Sequence, residues 1–420
     1  MKDFLCLFLG CIFVLISLNL PVLSQTTEAQ TPERKRPKTK KFGSSLKRTP
    51  QENLNPSKIN EGEKNDSDDE TIKIETNLVV FDFLVLNSKG LSVSGLKKED
   101  FNITEDEQPQ EIQTFTMGDD ANVPRSIVLI IDYSGSQLPY IERSVEAAKQ
   151  LVDKLRPNDL MAIATDDIDL LVDYTNDKKT LKNKLDSLKN GAKNHRSLGK
   201  SKQFSSLYAV LNEMFNEKDV RPIVIFQTDG DQFLFLKGEF GPLIYFSSHA
   251  EPTNFSLNDL LTMTDKSRAS IYTVVPGPKL LGLSPEEKKV RLEKERELVF
   301  KAFGINPNRG FTPSKEQLEM RRKIEELTKI YYPNGMPDTQ EVLAGLSKYT
   351  GGWLDFLEDP NQADEIYSRI LNQIDSRYII SFSPTNETKD GKLRVVKVSV
   401  KNHPEYTVWG RKTYLAPMTN

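Results

Sequence analysis

Apolar and polar positions divide the chain into blocks of different period. Ser126-Ile127-Val128-Leu129-Ile130-Ile131 is apolar at every position after the first, as expected of a strand covered on both faces. A helical stretch over 141–155 follows, then a second short apolar strand at 160–165. Helices around 178–188 and 206–215 lead to strands at 222–227 and 269–275, and another helix covers 339–349. Short apolar strands alternating with helices predict an α/β fold, a doubly wound, Rossmann-like sheet.

The two ends of the chain carry strands without helices. A β-rich run at 76–86 stops at the turn signal Asn87-Ser88-Lys89-Gly90, and 100–106 and 110–117 alternate. Near the other end 377–383, 393–401 and 406–414 are strand-like, with Asp390-Gly391 marking a hairpin. Neither set closes a core alone. Pairing them predicts one small β-sandwich-like module, its first part at 71–118 and its second at 376–416. The α/β domain, at 124–357, is inserted between them, with insertions of its own at about 231–258 and 277–338.

The N-terminal residues form neither pattern. Met1-Lys2-Asp3 precede an apolar run from Phe4 to Val22, interrupted at Pro21. A charged start, an apolar middle and a small residue at the exit describe a signal peptide over 1–24. The run is also long enough to span a bilayer, so an uncleaved anchor is the alternative. Residues 25–70 hold a basic, proline-bearing stretch and then an acidic one, and read as a disordered charged linker. The expected product is exported, periplasmic or secreted, with no transmembrane segment after cleavage.

Composition narrows the chemistry. A net charge of −3 gives no push toward nucleic acid. Both cysteines, Cys6 and Cys11, lie in the leader, which leaves no disulfide, thiolate metal site or cysteine nucleophile behind it. His195, His249 and His403 show neither ligand nor triad spacing.

What remains is oxygen chemistry at two strand ends. Asp132-Tyr133-Ser134-Gly135-Ser136 follows the first apolar strand directly, and Thr228-Asp229-Gly230-Asp231 follows the strand at 222–227. Doubly wound sheets bind ligands outside the carboxyl ends of their strands. Acidic and hydroxyl oxygens converging there suit a hard cation such as Mg2+ or Mn2+.

Asp-x-Ser-x-Ser after a central strand, with Thr-Asp-Gly about a hundred residues later, resembles the metal-ion-dependent adhesion site of von Willebrand factor A domains. The resemblance implies direct ligands in Ser134 and Ser136, with Asp132 and Asp229 in or near the same shell. The family's third loop supplies a Thr before a helix. Here Gln203-Phe204-Ser205-Ser206-Leu207 stands in that place, offering Ser205 or, alternatively, Ser206. A wider resemblance, to bacterial von Willebrand factor A-related proteins, rests on Leu96 to Asp106, Ile112 to Phe115, Thr350-Gly351-Gly352, Tyr378 to Pro384 and Gly391 to Arg394.

The function this implies is metal-dependent, adhesion-type protein binding. Neutral hydroxyl ligands leave a cation under-neutralised, so a partner's Asp or Glu carboxylate is a favourable further ligand. Two alternatives belong to other classes: a structural envelope protein with a vestigial site, and a metal-assisted hydrolase. The hydrolase lacks a visible base and nucleophile, so the chain reads as a non-enzyme. Both insertions leave strands at the metal-bearing edge. The aromatic run 233–246 either offers a binding surface or packs down. In the second insertion Ser284-Pro285-Glu286-Glu287 predicts a capped helix. Met320, Ile324, Leu327 and Tyr331 form an apolar stripe on another. The helix pair is expected to flank or lid the site.

Overall fold

The computed structural model describes residues 41–54, 78–118, 123–193, 198–216, 221–239, 252–304, 315–331 and 338–418. The expected signal peptide, His195 and His249 lie outside them. Among the described residues no helix is long and apolar enough to cross a membrane.

The chain opens its strands with β1 (Val79–Leu86), β2 (Phe101–Glu105), β3 (Gln108–Pro109) and β4 (Ile112–Met117), then enters a six-stranded sheet. Here β5 (Arg125–Ile131) lies parallel between β6 (Leu160–Thr165) and β8 (Arg221–Gln227). Beyond β8 come β9 (Ser270–Pro276) and β10 (Leu354–Leu357), also parallel. On the other edge, β7 (Leu170–Thr175) runs antiparallel to β6. The order reverses at β5, which is the doubly wound arrangement expected.

Both faces of this sheet are covered. Ile127, Leu129 and Ile131 pack under α2 (Ile141–Asp153), α3 (Lys178–Lys193) and α9 (Ala363–Asp375). Val128 and Ile130 point the other way, to α4 (Gln203–Glu213), α5 (Leu257–Ser267) and α8 (Thr339–Tyr349). Alternate residues meeting different apolar layers explain why β5 is apolar throughout. Because α9 belongs to this core, the α/β layers extend past residue 357.

The outer strands pair across the chain's two ends. One sheet has the order β13-β1-β11-β4 and the other β14-β12-β2-β3, where β11 is Tyr378–Phe382, β12 Leu393–Val400, β13 Thr407–Gly410 and β14 Thr413–Leu415. Phe81, Phe83, Phe101, Ile103, Tyr378, Ile380, Phe382 and Val396 fill the space between them. The expected single strand at 406–414 is broken at Arg411. Its guanidinium turns in to meet the carbonyls of Thr264 (2.6 Å) and Ala269 (2.8 Å) and the Asp265 carboxylate (3.1 Å).

Buried arginines join sandwich to α/β layers. Arg377 donates to Asp82 Oδ2 (2.8 Å) and to the carbonyls of Asp82 (2.9 Å) and Gly351 (2.8 Å). Arg125 is paired with Asp159 and with Asp375. The Thr350-Gly351-Gly352 turn fits here because a Cβ on Gly352 would stand 2.0 Å from Ile271 O.

The linker reading needs a correction. Residues 41–54 are ordered against α4 and α5, with Phe42 in the core and α1 (Pro50–Leu54) at the end. The Gly43 and Ser45 amides donate to the Glu213 carboxylate (3.0 and 2.8 Å), and Asn53 Nδ2 donates to Ser45 O (2.9 Å). One buried aromatic and a satisfied turn offset the ordering entropy that the charged composition alone could not.

In the first insertion, Asp231–Phe235 forms a 3-10 turn whose Phe233 and Leu236 are buried. The described part of the aromatic run therefore packs down, and 240–251 lie outside the described residues. The second insertion folds as α6 (Pro285–Ala302), with the expected Ser284/Glu287 capping box, and α7 (Lys315–Tyr331). The side chains of Met320, Ile324, Leu327 and Tyr331 lie outside the description.

Candidate functional site

Three strand ends and the start of α4 meet at the carboxyl edge of the sheet. Asp132 is the first residue past β5; its N–H still donates to Gln227 O on β8 (2.9 Å). Its side chain is buried, 1% exposed, and fully engaged. Oδ1 accepts from the Ser134 amide (3.0 Å), and Oδ2 accepts from the Thr228 hydroxyl (2.8 Å) and Gln203 Nε2 (2.9 Å). The chain then turns so that Ser134 Oγ and Ser136 Oγ lie 3.2 Å apart. Ser136 Oγ donates to Asp229 Oδ2 (2.6 Å), which also accepts from Gln137 Nε2 (2.6 Å). Asp229 Oδ1 accepts from the Asp231 amide (3.2 Å).

Asp132, Ser134, Ser136 and Asp229 thus form one continuous chain of contacts. Ser205 joins it through two glutamines. Its hydroxyl accepts from Gln232 Nε2 (2.7 Å) and its amide donates to Gln232 Oε1 (2.8 Å), while the Gln232 amide donates to Gln203 Oε1 (3.1 Å). Ser206 Oγ is buried and has no hydrogen-bond partner among the described residues.

Sequence reasoning passed over Asp166, which closes the site from below at the end of β6. Its carboxylate accepts from the Tyr133 amide (3.1 Å) and the Ser201 amide (2.9 Å), tying the first loop to the segment that leads into α4. Gly199 makes room for it, since a Cβ there would stand 2.1 Å from Asp166 Oδ2. An acidic residue at a strand's carboxyl end was the available signal, the same one that marked Asp132 and Asp229. Gln137, Gln203 and Gln232 gave none, because a neutral amide becomes part of a site only through tertiary proximity.

The electrostatics are one-sided. Burial, then the charge of Asp229, pushes the Asp132 carboxyl up to about 6. Burial and Asp231 push Asp229 to about 7, and burial and Asp132 push Asp166 to about 8. Among the described residues no Lys, Arg or His pairs with these carboxyls. Nor are three His, Cys, Asp or Glu grouped as a cage for one ion. A cation here would need the serine hydroxyls as well as the carboxylates, and an Mg2+-type, all-oxygen donor set of that kind is what the loops present.

These shifts carry a sign. The folded chain holds protons that an unfolded Asp, with a pKa near about 4, has released. The stabilisation is complete below that value and is lost as pH rises through about 6 to about 8. Thermal melts in chelator are therefore expected to show a falling melting temperature across that window, partly restored by Mg2+ at its upper end. A melting temperature that climbed over the same window would contradict the charge imbalance.

No protein-family model matches this chain, and neither does any curated protein. Solved structures similar to it include an aerotolerance-related membrane protein from Bacteroides fragilis. It is 14% identical, at a TM-score of 0.35, over 60% of this chain and 98% of that one. A von Willebrand factor type A protein from Catenulispora acidiphila is 11% identical at 0.33, over 84% and 76%. The vWF domain of the type V pili tip protein Mfa5 from Porphyromonas gingivalis is 12% identical at 0.29, over 46% and 99%. At such values the likeness is one of general fold and carries no functional argument.

Proposed function

We propose that this chain is an exported protein-binding module whose contacts depend on a divalent cation. Ser134, Ser136, Asp132, Asp229 and Ser205 would hold Mg2+ or Mn2+, and a partner protein's Asp or Glu would supply a further oxygen. The observation that supports this best is the set of buried carboxyls beside a close pair of serine hydroxyls, with no basic side chain among the described residues to balance them. A bound cation supplies the missing positive charge and, being held partly by neutral oxygens, keeps an attraction for one more carboxylate.

Binding is favoured over hydrolysis by the neighbours. Gln137 and Gln203 donate to the carboxylates and Gln232 to the Ser205 hydroxyl, and none of these amides can move a proton at neutral pH. The test is calorimetric titration of Mg2+ and Mn2+ into the protein, with Asp132→Ala as control. Saturable binding lost in the variant is expected. A wild-type protein with no cation-dependent signal would favour the vestigial-site alternative. Capture from envelope extract with and without chelator then asks whether a partner needs the ion.

A further inference from the structure

The helix α6 of the second insertion reaches the turn that carries Ser134 and Ser136. Its base is fixed by charged ties: Lys288 to Asp338 (2.6 Å), and Arg291 to Glu358 (3.0 Å) and to Lys279 O (3.0 Å). Further along the same side, Tyr140 OH donates to the Glu295 carboxylate. Lys288, Glu295, Val299, Phe300 and Ala302 are half-buried, and all of them but Phe300 recur at a spacing that keeps one helical face toward the domain. At its C-terminal end the Phe303 ring comes over Gly135, between the two serines. A Cβ on Gly135 would lie 3.3 Å from Phe303 Cζ. Phe303 as a residue is nevertheless 38% exposed.

Resting on the cation-dependent reading above, we propose that Phe303 is the specificity-determining residue of the site: it walls one side of the approach to the serine pair and selects carboxylates that carry an adjacent apolar group. A carboxylate reaching Ser134 and Ser136 passes along an aromatic face that water already touches. Covering that face with apolar surface is favourable, by about 25 cal/mol per Å². A bare carboxylate gains nothing from it. The fitting partner is an acidic side chain flanked by an apolar one, and a Cβ at Gly135 would press on the ring, which would have to give by a few tenths of an ångström.

Small carboxylates test this without an identified partner. With Mn2+-loaded protein, phenylacetate is expected to bind about tenfold more tightly than acetate, read by ligand relaxation in NMR. Phe303→Ala should remove that preference while leaving Mn2+ affinity and acetate binding unchanged. Phe303→Leu should keep part of the preference. Equal binding of the two carboxylates to wild type, with Mn2+ bound, would overturn the wall and leave the metal site standing. No Mn2+ binding at all would instead be the failure of the cation-dependent reading, and the wall would fall with it.

Discussion

Arg377→Ala is expected to destabilise the protein by about 3–5 kcal/mol, because it removes a buried guanidinium and strips a half-buried carboxylate and two carbonyls of their partner. At the scale of a domain this size the melting temperature should drop on the order of 10 °C. Arg377 directly precedes β11 and reaches Asp82 on β1 and Gly351 in the turn between α8 and β10, so its loss opens the seam between sandwich and sheet. Arg377→Lys should recover little, since an ammonium cannot address three acceptors through a planar fork. Differential scanning calorimetry decides it. A variant that melts with wild type would show that the seam is held by its apolar contacts and that the arginine is incidental.

Asp229→Asn is expected to do the opposite kind of damage. The amide oxygen still accepts from Ser136 and Gln137, and one of the uncompensated acids is gone. The metal-free protein should therefore melt no lower than wild type at a pH above about 7, where Asp229 would be ionised. Mg2+ affinity, however, should fall by on the order of 100-fold or more, at the upper end of what loss of a supporting ligand costs elsewhere. Calorimetric titration and melts on the same sample give both numbers. Unaltered affinity would remove Asp229 from the site, and a large loss of stability would mean its charge is structural.

Much of this was legible in the residues, and the gaps have physical causes. β5 announced itself because a strand apolar at every position needs two covered faces. The sandwich followed from counting strands that could not close a core separately. β7 and β10 were missed because edge strands of six and four residues leave little periodicity to read. α9 did carry a signal, with Ile366, Ile370 and Ile374 recurring every turn and all buried. The ordered stretch 41–54 defeated composition, because a single Phe42 and the distant Glu213 decide it. At the site, strand-end acids and hydroxyls were visible. The glutamine relay from Asp132 to Ser205 was not, since its members are thirty to seventy residues apart in sequence.

That docked N-terminal stretch is coupled to the site through a single helix. Its Gly43 and Ser45 amides hold the carboxylate of Glu213, the last residue of α4, so releasing them would free that end of the helix. The opposite end of α4 begins with Gln203 and Ser205. One helix of eleven residues therefore connects the docked stretch to the strand-end loops. A displacement of residues 41–54 and a ligand at the carboxyl edge of the sheet would act at opposite ends of the same helix.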